Sequence, residues 1–121
     1  MHEPYFYAKT GQIFQLFTGL SSIGAWEELI DEAVGAVQGA CRENADKNDL
    51  RLCYYAAALA NLRYRQILGA RGAAEPTYAG QIPQKRDDRG TCTLAQALVT
   101  EYRKAAAPLL RDGGFVFLGV R

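Results

Sequence analysis

Residues 52–60, LCYYAAALA, carry no charged side chain, and they lie inside a helix-forming segment that runs from 50 to 70. A helix that is apolar around its whole circumference must be covered on several sides. The chain is therefore obliged to build a bundle around this segment, which is expected to be the central helix. Ala56, Ala57, Ala58 and Ala60 let neighbours approach closely. Arg63 and Arg65 return the pattern to amphipathic, and Gly69 and Gly72 are expected to end it.

Two strong covering helices and a short one can be read from apolar spacing. Trp26, Leu29, Ile30, Ala33, Val34, Val37, Ala40 and Cys41 step by three and four residues, the helical period. Glu27, Glu28, Asp31 and Glu32 cluster near the start of that helix, where its dipole favours negative charge. Gly35 and Gly39 are expected to mark close approach of another backbone. The segment NADKND, 44–49, breaks the pattern, and Asp46, Asn48 or Asp49 can cap the central helix. Ile13, Leu16, Phe17 and Leu20 predict a short helix over 12–20, with Thr10 available as its cap. The last helix is expected to start at Thr93, because Thr93-Leu94-Ala95-Gln96 is a capping-box pattern. Its face is read as Leu94, Ala97, Leu98, Tyr102, Ala105, Leu109 and Leu110. Pro108 predicts a bend near Lys104 and Ala105, since its ring crowds the carbonyl one turn earlier.

The remaining segments are expected to be irregular. Residues 1–9 form an aromatic arm (Tyr5, Phe6, Tyr7) whose rings need something to pack on. Residues 72–91 contain Pro76, Gly80, Pro83 and Gly90 and predict a long loop, a length that is usually functional or disordered. Residues 77–82 can pair there only as an edge ribbon, because Pro83 lacks a donor. Residues 114–121 predict an apolar, β-prone tail. The expected fold is all-α: one domain spanning 1–121, a small bundle of three main helices plus a short N-terminal helix. At 121 residues a single core is feasible without a metal or disulfide.

Chemistry is sparse. The one histidine, His2, lies near the start of the chain, a poor place to hold a catalytic group. No phosphate-cradling glycine motif occurs. Glu28 with Glu32, and Glu27 with Asp31, read as a solvated acidic face. The three cysteines form no CxxC pair, so no metal site is expected, and Cys41 and Cys53 read as buried reduced thiols. No catalytic residue, cofactor or membrane span is expected, and the opening MHEPYFYAKTGQ lacks the pattern of a secretory leader.

Charge is polarised. Residues 1–50 hold three Lys/Arg against eight Asp/Glu, whereas 51–121 hold eleven against five. Such a split permits head-to-tail attraction between copies. The net charge of +1 lacks the excess expected of a general nucleic-acid binder. Tyr54, Tyr55, Arg63, Tyr64 and Arg65 interleave rings and cations, but on a covered helix such groups pack internally. Lys85, Arg86 and Arg89 form a basic cluster suited to DNA or an acidic protein surface. Together with Arg63 and Arg65 they motivate the alternative expectation, a small regulatory or nucleic-acid-binding helical domain.

The order AWEELIDEAVGAVQGAC (25–41), DLRLCYYAAALANLRYRQIL (49–68) and LAQALVTEYRKAAAPLLRDGGFVFLGV (94–120), with a long loop before the last, resembles the small helical head–tail connector (adaptor) proteins of tailed bacteriophages and prophages. The resemblance implies a structural subunit, made in the host cytoplasm and placed in the virion. There it would form a ring with identical copies between the portal protein and tail or stopper proteins, with passive DNA contact in the channel. It further implies that the loop, here Thr77, Tyr78, Gln81 and Ile82, and the tail, here Phe115, Val116, Phe117, Leu118 and Val120, engage those partners. The loop reads YAGQIPQ where related connectors carry a valine-rich ribbon, so a regular intersubunit strand is not expected.

Overall fold

In the computed structural model the chain is described over residues 4–74 and 88–111. These residues form an all-α bundle of four helices: α1 (Pro4–Thr18), α2 (Glu27–Ala40), α3 (Leu50–Ala74) and α4 (Asp88–Ala106). A 3-10 turn, Gly24–Trp26, leads into α2, and another, Ala107–Leu109, follows α4. No helix among the described residues is long and apolar enough to cross a membrane.

The central helix is α3, and each of the other three packs against it. Leu52, Cys53, Ala56, Ala57 and Ala58 are all fully buried, as an uncharged circumference requires. α3 starts where Asp49 caps it: the Arg51 amide donates to Asp49 Oδ1 at 2.9 Å, and the Arg51 guanidinium returns a bond to Asp49 Oδ2 at 2.9 Å. Gly69 and Gly72 do not stop the helix, which continues to Ala74. Propensity is a weak force there, and Arg71 is placed over the Trp26 ring, 5.2 Å from its centroid.

The first helix departs most from expectation. It is not a short element over 12–20, and the arm 1–9 is not irregular from Pro4 onward: α1 has 15 residues. A proline is tolerated in a first turn, where its missing N–H would have no partner. Phe6 is fully buried with Phe14 and Ile13, while Leu16, expected inside, is 76% exposed. Thr10 is not a cap but a fully buried mid-helix residue. Gly11 lies close under its neighbours: a Cβ there would sit 3.3 Å from Ile23 Cδ1, so that side chain would have to shift slightly. The helix ends at Gly19, whose φ of +80° suits glycine and whose amide donates to the Gln15 carbonyl at 2.8 Å.

α2 buries Ile30, Ala33, Val34 and Val37, as its spacing predicts. Gly39 is not a point of close approach, since a Cβ there would meet nothing within 4 Å. α4 begins five residues before the expected Thr93 cap and is rotated relative to the predicted face. Ala95, Val99 and Ala106 are buried, Leu98 and Tyr102 are half-buried, and Leu94 is 71% exposed. Pro108 does not bend α4. The helix stops at Ala106 and Pro108 lies in the following 3-10 turn, so no helical bond is lost to it. Beyond this turn Leu110 forms an isolated antiparallel bridge with Cys41. The Arg42 amide donates to the Leu109 carbonyl and the Arg111 amide to the Ala40 carbonyl, both at 2.9 Å.

Two outcomes follow. Phe6→Ala should lower unfolding stability by about 3–5 kcal/mol, read as a drop in urea midpoint, whereas a residue on a free arm would change it by under about 0.5 kcal/mol. The Arg51 hydrogen bond lowers the Asp49 pKa from its usual 3.8. Its contribution is therefore present above that value and is lost as the pH falls through the lower folded-state pKa. Asp49→Asn should keep the cap but weaken the dependence of stability on acidification, while Asp49→Ala should lose about 1 kcal/mol at neutral pH. Thermal unfolding across pH 2–6 distinguishes the two.

Candidate functional site: the open side of the central helix

α3 lies between α2 and α4 and runs opposite to both. Trp26 at the start of α2 meets Tyr64 edge-on at 4.8 Å, and Tyr54 near the start of α3 stacks on Tyr102 near the end of α4 at 5.1 Å. α1 covers part of the circumference of α3: Phe14 meets Tyr64 edge-on at 5.7 Å, and Phe17 lies against Tyr54 at 6.4 Å; Phe17 also stacks on Tyr102 of α4 at 5.9 Å. Elsewhere the cover is incomplete, and among the described residues two grooves share Leu62 and Gln66. One runs between α2 and α3, with a volume of about 190 Å³; its lining includes Leu29, Ala33, Ala36, Leu59 and Ala60, with Glu32 and Arg63 also present. The wider one runs between α3 and α4, about 480 Å³, lined on the α4 side by Cys92, Thr93, Gln96, Ala97 and Thr100. Both follow from side-chain size. Alanines at the contact bring the helices together without filling the space above them.

The basic and aromatic residues of α3 are largely occupied internally. The Arg65 guanidinium donates to the Phe17 carbonyl at 3.0 Å and to Asn61 Oδ1 at 3.3 Å. It thereby satisfies a carbonyl in the last turn of α1, where a cation also complements the helix dipole. Tyr55 and Tyr64 are buried. Burial pushes the Tyr55 phenol up, and Arg103 beside it opposes the shift. Arg63 alone of this group is exposed.

The other predicted contact residues divide. Phe6 belongs to the core and is not available to a partner. Tyr5 is 47% exposed. Tyr7 is half-buried and donates a long, 3.4 Å bond to the Glu27 carbonyl. Burial raises the Tyr7 pKa, and the negative charges of Glu27 and Asp31 add to the rise. The expected loop 72–91 shrinks at both ends, because 72–74 continue α3 and 88–91 begin α4. Thr77, Tyr78, Gln81, Ile82, Lys85 and Arg86 lie outside the described residues, as do Phe115, Val116, Phe117, Leu118 and Val120. Arg89 is in the first turn of α4, with its side chain also outside them.

Both acidic pairs lie on an exposed face, as the solvated reading expects: Glu27, Glu28, Asp31 and Glu32 are all exposed, and Glu32 borders the α2–α3 groove. Among the described residues no three His, Cys, Asp or Glu side chains converge as metal ligands. Cys41 and Cys53 are free and buried, and Cys41 caps α2 rather than lying within it. Burial raises both thiol pKa values, which suppresses the reactive thiolate. At Cys53 the Thr10 hydroxyl opposes that rise. No family model, curated protein or solved structure matches the chain.

Among the described residues the arrangement offers apolar surface and two open grooves. Sequence reading missed the grooves. Their only forward signal is the stripe of small residues at Ala33, Ala36 and Ala60, which predicts close contact but not the space left above it. Titration of the native protein with a bulky disulfide reagent should modify Cys92, the half-exposed thiol, and leave Cys41 and Cys53 until denaturant is added.

Proposed function

We propose that this chain is a structural subunit that assembles with copies of itself, a head–tail connector of a tailed bacteriophage or prophage forming a ring between portal and tail. The resemblance of the segments 25–41, 49–68 and 94–120 names that family. The observation that carries the reading is unfinished apolar surface in separate places. Leu16 is 76% and Leu94 71% exposed. They lie in α1 and α4, which scarcely touch, and Leu94 is two helical turns from the Tyr102 that meets α1. Two separate sticky patches on one subunit favour a heterologous contact, and repeating such a contact with a fixed rotation closes a ring. The polarised charge orients it, since acidic residues gather on α2 while 51–121 are net basic.

In this reading Thr77, Tyr78, Gln81 and Ile82, together with residues 115–120, reach the neighbouring subunit, the portal or the stopper, and Lys85, Arg86 and Arg89 face DNA or an acidic surface. The nucleic-acid-binding alternative draws less support, because Arg65 and the rings of α3 are spent on internal contacts.

Negative-stain imaging of the concentrated protein, or of particles containing it, should show rings. Leu94→Asp should abolish them while leaving the far-ultraviolet circular dichroism unchanged, because the residue supports no core contact. Sedimentation as a monomer at every concentration, together with normal particle incorporation of Leu94→Asp, would refute the proposal.

A further inference from the structure

The uncovered side of α3 and the outer face of α1 point in opposite directions. Tyr54, Tyr64 and Arg65 face α1 through Phe17 and Phe14. At about 100° per residue, Leu59, Leu62, Arg63 and Gln66, which floor the grooves, fall on the opposite side of α3. α1 in turn buries Phe6, Thr10 and Phe14 and exposes Tyr5, Ala8, Gln12 and Leu16, at steps of three, four and four residues. This stripe is uncharged. It looks away from the bundle, out of reach of the grooves of its own chain. Lys9 borders it on one edge and Gln15 on the other. The grooves have complementary rims: Glu32 on the α2 side, with Glu28 one turn before it, and Thr93, Gln96 and Thr100 on the α4 side.

We propose that α1 of one copy docks over α3 of the next, its exposed stripe lying on the two grooves between α2 and α4, with Leu16 on the floor formed by Leu59 and Leu62 and Lys9 toward the Glu32 rim. Charge selects this occupant. The exposed face of α2 carries Glu27, Glu28, Asp31 and Glu32 and would set carboxylates against carboxylates. The exposed face of α4 includes Glu101 and Lys104. α1 has no acidic residue, and its stripe offers Leu16, 76% exposed, and Tyr5, 47% exposed. Length agrees as well: Tyr5 to Leu16 spans about 16 Å of helix, enough to cover the roughly 10 Å from Leu29 to Ala36. Leu94, one turn before Ala97, borders the wider groove, so both exposed leucines fall at this contact. Each copy gives α1 on one side and receives α1 on the other, a heterologous contact that propagates from copy to copy. One helix over two shallow grooves is a small interface, so a single contact is weak, and ring closure, where each copy makes two, strengthens it. The inference rests on the reading that this chain assembles with itself, and not on the phage setting.

Thiol crosslinking between two tagged forms of the full chain tests it. Cys92 lines the wider groove, while Cys41 and Cys53 are buried. Chains carrying Gln12→Cys and Cys92→Ser are mixed with differently tagged chains that keep Cys92, and a short bis-maleimide is added. The product should hold one chain of each tag, and neither form alone should give it. Leu16→Asp in the first form, or Ala97→Asp in the second, should remove it with helicity unchanged, because both residues are exposed. Lys9→Glu in the first form and Glu32→Lys in the second should each reduce it, and the two together should restore it. Product that survives Leu16→Asp, or no product from protein that still sediments as an oligomer, would overturn this contact and leave self-assembly standing. Sedimentation as a monomer at every concentration would overturn both. Nuclear Overhauser contacts from the Leu59 and Leu62 methyls to residues 75–87 or 112–121 of the same chain, persisting on dilution, would give the grooves to those segments and equally defeat it.

Discussion

The uncharged stretch 52–60 of the central helix must be shielded from water, and the rest of the structure answers that demand. Leu52, Cys53, Ala56, Ala57 and Ala58 have no solvent exposure. Their small size sets a second condition. Alanine contributes little apolar area of its own, so the covering helices must supply bulk. α1 does so with Phe6, Ile13 and Phe14, and α2 with Ile30, Val34 and Val37. The same need explains why α1 extends back to Pro4. A helix confined to 12–20 would leave the core without Phe6 and the Cys53 thiol without Thr10 beside it.

Polar contacts act mainly at the ends. Asp49 fixes the start of α3, Arg65 ties the end of α1 to α3, and the bridge between Cys41 and Leu110 joins the segments that follow α2 and α4. Each such bond contributes about 1 kcal/mol net, well below the burial of one phenylalanine. Their role is registration: they decide where the helices stop and where the chain departs. The Arg111 amide and guanidinium are both held by carbonyls at the end of α2.

Cover of α3 is strong around its first half and thin between α2 and α4 farther along. Leu59 and Leu62 are only half-buried there, and Gln66 is exposed. Leu16 and Leu94 add apolar surface elsewhere. The helices thus keep apolar surface open at their edges, in separate parts of the bundle. Among the described residues, Thr10 places a buried hydroxyl beside the Cys53 thiol, whose pKa is raised by burial and lowered in part by that hydroxyl.

The sequence by itself determined the all-α class, the central place of residues 50–70, the buried face of α2 and the Asp49 start of α3. Each is a local property of period, charge or capping chemistry. Tertiary structure alone decided which stripe of α4 faces inward. Leu94 and Ala97 or Ala95 and Val99 satisfy a helical period equally well, and the bundle buries the second pair. It also decided that Phe6 is core rather than arm, and that Pro108 ends a helix rather than bending one. Periodicity reports that a face is apolar, but only the shape of the opposing surface fixes how much of it is covered. The groove beside Ala36 is the residue of that fit, a space set by side chains more than twenty residues apart in sequence.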